Sequence, residues 1–214
     1  MFVGRERELN ELESAYESDA FQMIAVYGRR RVGKTALLNE FISDKQDAYF
    51  FTAQQTTARD NLEALSITLG KLRAYPGDGV RPGTSLFPSN GPVYQSYQDA
   101  LVALFEMGQR KRTVFVIDEY PYLAESYPAI SSLLQTLIDR YKATSKLFLV
   151  LCGSSMSFME GQVLGEKSPL YGRRTAQIHL RPFDAFSASE LLGTDDSVAA
   201  IELYALVGGI PLYL

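Results

Sequence analysis

Residues 28–35 read Gly-Arg-Arg-Arg-Val-Gly-Lys-Thr, and the segments on either side decide what that octet is. FQMIAVY (21–27) stands before it, a short apolar run of strand type. After it, Leu37, Leu38, Phe41 and Ile42 fall on one face of a helix over 34–43. Strand, glycine-bounded loop and helix in that order match G-x-x-x-x-G-K-[ST], in which the glycines let backbone N–H groups turn inward around phosphate. The helix N-terminus adds the positive end of its dipole. Lys34 reaches the outer phosphates, and the Thr35 hydroxyl ligates Mg²⁺. The candidate nucleotide contacts are therefore Gly28, Arg29, Arg30, Arg31, Val32, Gly33, Lys34, Thr35 and Ala36. The alternative, an ordinary glycine-containing turn, is disfavoured by letters and context together.

The rest of the chain alternates in the same way. Leu9, Leu12 and Tyr16 predict a helix over 5–18, DAYFFTA (47–53) a second strand, and Thr57 with Asp60 a capping box opening a helix through Leu72. Residues 75–92 hold four of the nine prolines and read as a long loop or insertion without assigned chemistry. Further helices are expected over 93–109 and from Ser126-Pro128 to Tyr141, and further strands at 113–118, 147–152 and 175–180. Five apolar strands alternating with helices predict an α/β fold with a mostly parallel sheet covered on both faces. After Arg181-Pro182 only helices remain, one capped by Ser187 with Glu190 and one from about Asp196 to Val207. Residues 1–182 are thus expected to form a core and 183–214 the start of a smaller unit, with the apolar ending GGIPLYL suggesting a piece of a longer protein.

Three further groups carry candidate chemistry. In VFVIDE, four apolar residues lead to two carboxylates at the C-terminal end of a buried strand, where ligands of open α/β sheets bind. Asp118 is placed to hold Mg²⁺ and Glu119 to orient or deprotonate an attacking water. Ser154, after the strand LFLVLC, either senses phosphate or water or belongs to a helix cap over 156–160. Arg173, after Gly172, either stabilises charge on a transferring phosphoryl group or, like Arg174, serves as a surface or ion-pair residue.

Composition narrows the classes. Lys plus Arg is 21 against 25 for Asp plus Glu, a net charge of −4, so no whole-domain basic field attracts nucleic acid or anionic membrane. The run Arg110-Lys111-Arg112 is expected as a solvated helix end. Cys152, the one cysteine, reads as a buried structural thiol, and Cys/His zinc spacing is absent around the one histidine, His179. The longest apolar runs are far short of a membrane span, and a reducing cytoplasm is the default location.

These motifs together resemble the archaeal-type ATPases of the STAND branch of AAA+ P-loop NTPases. The resemblance rests on FVGRERELNEL, VYGRRRVGKTALLNEF, VFVIDEYPYLAE, LCGSSMSFM, SPLYGRRTAQIHLRPF and VGGIPLYL, which cover nearly all the chain except 75–92. It implies a strand order 5-1-4-3-2 with a helical lid, adenine beside Phe2, Val3, Gly4 and Arg5, and Pro211 from the lid, with Gly209, against the base. It also implies a winged-helix or nuclease-like region beyond this segment, and an arginine near Arg173 that completes a neighbour's site in a homo-oligomer. ATP and ADP are the expected ligands and Mg²⁺ the cofactor, with no membrane partner and nucleic acid met only through domains outside this segment. An ATP-hydrolysing switch is the leading function. A nucleotide-gated scaffold with negligible turnover and an initiator-like DNA loader are the alternatives. A GTPase is disfavoured by the lack of an N/T-K-x-D motif.

Overall fold

The computed structural model describes residues 3–74, 93–193 and 197–214. Phe2 and the insertion at 75–92 lie outside the described residues.

Five strands form the central sheet: β1 (Gln22–Tyr27), β2 (Ala48–Thr52), β3 (Thr113–Asp118), β4 (Leu147–Gly153) and β5 (Ala176–His179). Their spatial order is β2-β3-β4-β1-β5, and every neighbouring pair is parallel. This is the expected order read from its other edge. The register puts Tyr27 beside Gly153 and Phe51 beside Ile117, so the C-terminal ends of the central strands finish at one edge.

Strand alternation builds two cores. Met23 and Ala25 of β1, Phe115 and Ile117 of β3, and Leu149 and Leu151 of β4 face one cluster. It is covered by α3 (Ala58–Ala74), α4 (Tyr97–Arg110), α5 (Tyr120–Ser126) and α6 (Ile130–Tyr141). Ile24 and Val26, Val114 and Val116, and Phe148 and Val150 face the other, covered by α1 (Glu6–Glu17) and α2 (Lys34–Ile42). All residues of β3 and β4 are buried, which explains why these strands read as unbroken apolar runs. After β4 come a short turn α7 (Met156–Phe158) and a π-helical stretch, Met159–Leu164. The chain closes with α8 (Ala185–Leu192) and α9 (Ser197–Val207).

Several local expectations are corrected. The helix expected over 93–109 begins at Tyr97, because the Ser96 hydroxyl accepts from the Asp99 amide and caps it there. The helix expected from Ser126-Pro128 to Tyr141 begins at Ile130 as α6, with Pro128 in the turn before it, and a separate helix, α5, starts directly after Glu119 with Pro121 in its first turn, where a missing N–H is harmless. Asp184, not Ser187, caps α8, its carboxylate accepting from the Ser187 amide at 2.8 Å. That bond holds the Asp184 carboxyl below its ordinary range. The apolar ending GGIPLYL forms turns. Arg112 is not a solvated helix end. It donates to the carbonyls of Ala15, Tyr16, Ala20 and Lys146 and lies over the rings of Tyr16 and Phe148, closing off α1. Lys111 pairs with Asp47.

Candidate nucleotide site

Gly28 ends β1 under a steric demand: a Cβ there would stand 2.2 Å from the Leu180 carbonyl oxygen. The loop then climbs and turns at Gly33, whose φ of 95° is open to glycine and marks the start of α2. Lys34 follows, 7% exposed, and its ammonium donates to the carbonyls of Gly28 and Arg29 at 2.9 Å each. Burial lowers the Lys34 pKa, while the Cys152, Glu119 and Asp118 side chains pull the other way.

The acidic pair meets this loop from β3. The Thr35 hydroxyl donates to Asp118 Oδ2 at 3.1 Å, and the Glu119 amide donates to Asp118 Oδ1 at 3.0 Å. Glu119 has φ 50°, a left-handed turn in which the chain leaves the strand for α5. From the end of β4, Ser154 donates to both carboxylate oxygens of Glu119, at 3.1 and 3.0 Å. The Ser154 side chain thus faces the acidic pair and caps no helix among the described residues. A pocket of about 520 Å³ opens here, lined by Arg30, Arg31, Lys34, Glu119, Ser154 and Pro211 among others, including Thr35 and Ala36.

The N-terminal segment and the turn after α9 meet at Phe183. Val3 is buried, and a Cβ on Gly4 would approach Ser187 Cβ to 3.0 Å and Phe183 Cε1 to 3.2 Å. Arg5, 5% exposed, donates to the carbonyls of Val32 at 2.9 Å and Arg181 at 2.7 Å and lies 4.3 Å over the Phe183 ring. Burial lowers its pKa. The Phe183 amide donates to the Gly209 carbonyl at 2.6 Å, and a Cβ on Gly209 would overlap Phe183. One aromatic residue thus joins the segment before α1, the connection from β5 to α8 and the turn after α9. Pro211 stands against Gly33, its Cγ 4.0 Å from where a Cβ would be.

Arg173 does not join this group within one chain. Its guanidinium grips Asp139 at 3.0 and 2.6 Å and donates to the carbonyls of Pro169 and Tyr171, and the pairing holds the Asp139 carboxyl below its usual range. Arg174 donates to the Leu164 carbonyl. Cys152 is buried under Asp118, and burial pushes its thiol pKa up. His179 stacks on Tyr27 at 4.8 Å. Sequence patterns gave no sign of two tyrosines at the pocket rim, Tyr122 on Arg30 and Tyr213 on Arg31, because each contact joins residues far apart in the chain.

The residues present suit a phosphate chain with a divalent cation. A buried ammonium, two rim guanidiniums and a helix N-terminus supply positive potential, and Thr35 with Asp118 supplies hard oxygens beneath it. Among the described residues no three His, Cys, Asp or Glu side chains gather as a metal cluster. Mg²⁺ keeps several waters and takes only one or two carboxylates from a protein when phosphates complete its shell. No helix among the described residues is long and apolar enough to cross a membrane.

Comparison with known proteins gives the same picture. Residues 2–214 match the family model described as an ATPase domain predominantly from Archaea. An uncharacterized protein of Methanocaldococcus jannaschii is 30% identical over 214 residues, covering 100% of this chain and 43% of that protein. A Walker-type ATPase of Pyrococcus abyssi superposes with a TM-score of 0.73 at 21% identity, covering 98% of this chain and 65% of that one. The Orc1 protein of Aeropyrum pernix, solved in complex with DNA, superposes with a TM-score of 0.63 at 19% identity, covering 100% of this chain and 58% of that one. At these identities the structural likeness concerns the fold. The chain spans less than half the length of the curated relative it matches.

Proposed function

Because the chain belongs to the ATPase-domain family found predominantly in Archaea, with an AAA+-type P-loop fold, we propose that it binds Mg·ATP between core and lid, hydrolyses it, and uses lid position to signal the nucleotide's state to the remainder of a longer protein. The observation that supports this best is the unbroken chain of contacts from Thr35 to Asp118 to Glu119 to Ser154 on the floor of a pocket walled by Lys34.

In this reading, Lys34 gives up its loop carbonyls for the outer phosphates, and the inward amides of residues 29–34 hold the phosphate chain. Thr35 and Asp118 hold Mg²⁺, which supplies charge neutralisation on the phosphate oxygens. Glu119 orients the attacking water and takes its proton, and Ser154, donating to both Glu119 oxygens, fixes that carboxylate's direction. Val3, Gly4, Arg5 and Pro211 frame the base end, and Arg173 acts on a neighbouring copy. The net charge of −4 makes this module a poor DNA binder by itself, so an initiator-like role would need further domains. A reducing cytoplasm, where Cys152 stays a thiol, suits the reading.

The test is Glu119→Gln, which keeps shape and removes the base. Mg·ATP binding should persist while turnover falls by about 10²-fold or more. Parental turnover in that variant would make Glu119 a strand-end residue. Negligible turnover in the unaltered protein, with tight binding, would favour the nucleotide-gated scaffold.

A further inference from the structure

Two neighbouring loop arginines are each held by a tyrosine, one from either wall of the pocket. Arg30 donates to the Tyr122 hydroxyl at 2.5 Å, on α5 just past Glu119. Arg31 donates to the Tyr213 hydroxyl at 2.8 Å, and its guanidinium carbon lies 5.5 Å from the centre of that ring. The first contact stays within the core. The second crosses to the lid's last turn, which the Tyr213 amide closes on the Ile210 carbonyl. Arg31 also has φ 68°, a backbone state that residues with a Cβ adopt rarely. Its side chain is exposed and shares the pocket wall with Pro211 and Leu212, the two residues before Tyr213.

A guanidinium in that position has two competing acceptors. One is the neutral Tyr213 hydroxyl. The other is any phosphate entering the pocket, and hydrogen bonds between two ionised groups are roughly twice as strong as neutral ones. We propose that Arg31 couples the phosphate pocket to the lid by exchange: it leaves Tyr213 for a phosphate oxygen of the bound nucleotide and so releases the lid's last turn from the loop. The proposal rests on the nucleotide reading of this pocket. It makes Tyr213 a competitor of phosphate for one side chain, and competition has a thermodynamic signature. Removing the hydroxyl tightens nucleotide binding, and does so only while Arg31 is present.

The experiment is a double-mutant cycle read by calorimetric titration with Mg·ATP on the unaltered chain, Tyr213→Phe, Arg31→Gly and the double variant. Arg31→Gly suits the left-handed backbone at that position and removes the guanidinium without new strain. Tyr213→Phe keeps the ring of a residue that is 47% exposed. Tyr213→Phe should tighten Mg·ATP binding by about two- to tenfold, the net worth of one hydrogen bond. Arg31→Gly should weaken it, and in the Arg31→Gly background Tyr213→Phe should have no effect. Unchanged or weaker binding by Tyr213→Phe, or an equal change in both backgrounds, overturns the exchange while leaving the nucleotide site standing. No Mg·ATP binding by the unaltered chain overturns the nucleotide reading itself, and the exchange with it.

Discussion

Gly28→Ala puts the geometry of the loop's first residue to a quantitative test. The added Cβ would lie 2.2 Å from the Leu180 carbonyl oxygen, and real Cβ atoms essentially never come closer than 3.0 Å, so β1 and the segment after β5 must part by at least 0.8 Å there. Leu180 is fully buried, and its amide donates to the Tyr27 carbonyl at 2.8 Å directly beside the clash. Overpacking of this kind costs about 1–3 kcal/mol, and loss of that hydrogen bond about 0.5–1.5 kcal/mol more. A total of about 2–4 kcal/mol should lower the urea midpoint by about 1–2 M, taking a slope of about 2 kcal/mol per molar. The assay is urea unfolding followed by far-ultraviolet circular dichroism. Gly161→Ala is the control, since an added Cβ there meets nothing within 4 Å and, alanine being the better helix former in that helical stretch, should leave the midpoint in place or raise it slightly. Coincident midpoints for the two variants would refute the steric argument for Gly28.

Arg5→Met removes the buried guanidinium that ties the N-terminal segment to the Val32 and Arg181 carbonyls; it should destabilise the chain by about 2–4 kcal/mol in the same unfolding assay, and an unchanged midpoint would make those contacts incidental. In the proposed reading Lys34 meets phosphate as an ammonium; burial lowers its pKa below the free value of 10.5, so Mg·ATP affinity should be highest at neutral pH and decline as pH rises. Calorimetry over a pH series rising from neutral to the free value of 10.5 checks this, and Lys34→Ala should lack the decline; the same decline in Lys34→Ala would assign it elsewhere. The proposed action of Arg173 on a neighbouring copy requires it to leave its partly exposed pair with Asp139, at a cost of about 1 kcal/mol or less. Mixing Glu119→Gln with Arg173→Ala should therefore restore part of the ATPase activity that each lacks, whereas no recovery and activity per molecule flat across concentration would confine Arg173 to its ion pair.

The parts of this fold that a sequence can show are those written in local pattern. Buried strands β3 and β4 announced themselves as apolar runs, and the Gly28–Thr35 loop by its spacing between a strand and a helix. The floor of the site followed from the position of Asp118 and Glu119 at a strand end. What local pattern misses is the competition between nearby signals. No periodic pattern marks the seven-residue α5, in which Pro121 sits at the start, where its missing N–H is one that no helix would use. Ser187 with Glu190 reads as the cap of this helix, whereas the Asp184 carboxylate accepts from the Ser187 amide and starts α8 three residues earlier. Long-range polar contacts leave no periodic trace at all. Arg5 with Arg181, Arg31 with Tyr213 and Arg112 with the end of α1 each join residues about 90 to 180 positions apart. In the site, sequence spacing could name Ser154 but not its partner, and the two hydrogen bonds to Glu119 come from β3 and β4 finishing side by side.

The central claim is that the loop from Gly28 to Thr35 holds the phosphates of ATP, and one titration addresses it most directly. Mg·ATP is titrated calorimetrically into the unaltered chain and into Lys34→Ala, with the folding of both established beforehand by their urea midpoints. The account predicts saturable binding by the first and an affinity about 10- to 150-fold weaker in the second, the loss of a charge-assisted contact of about 1.5–3 kcal/mol. Equal affinity in the two folded proteins would contradict it and move the nucleotide away from this loop.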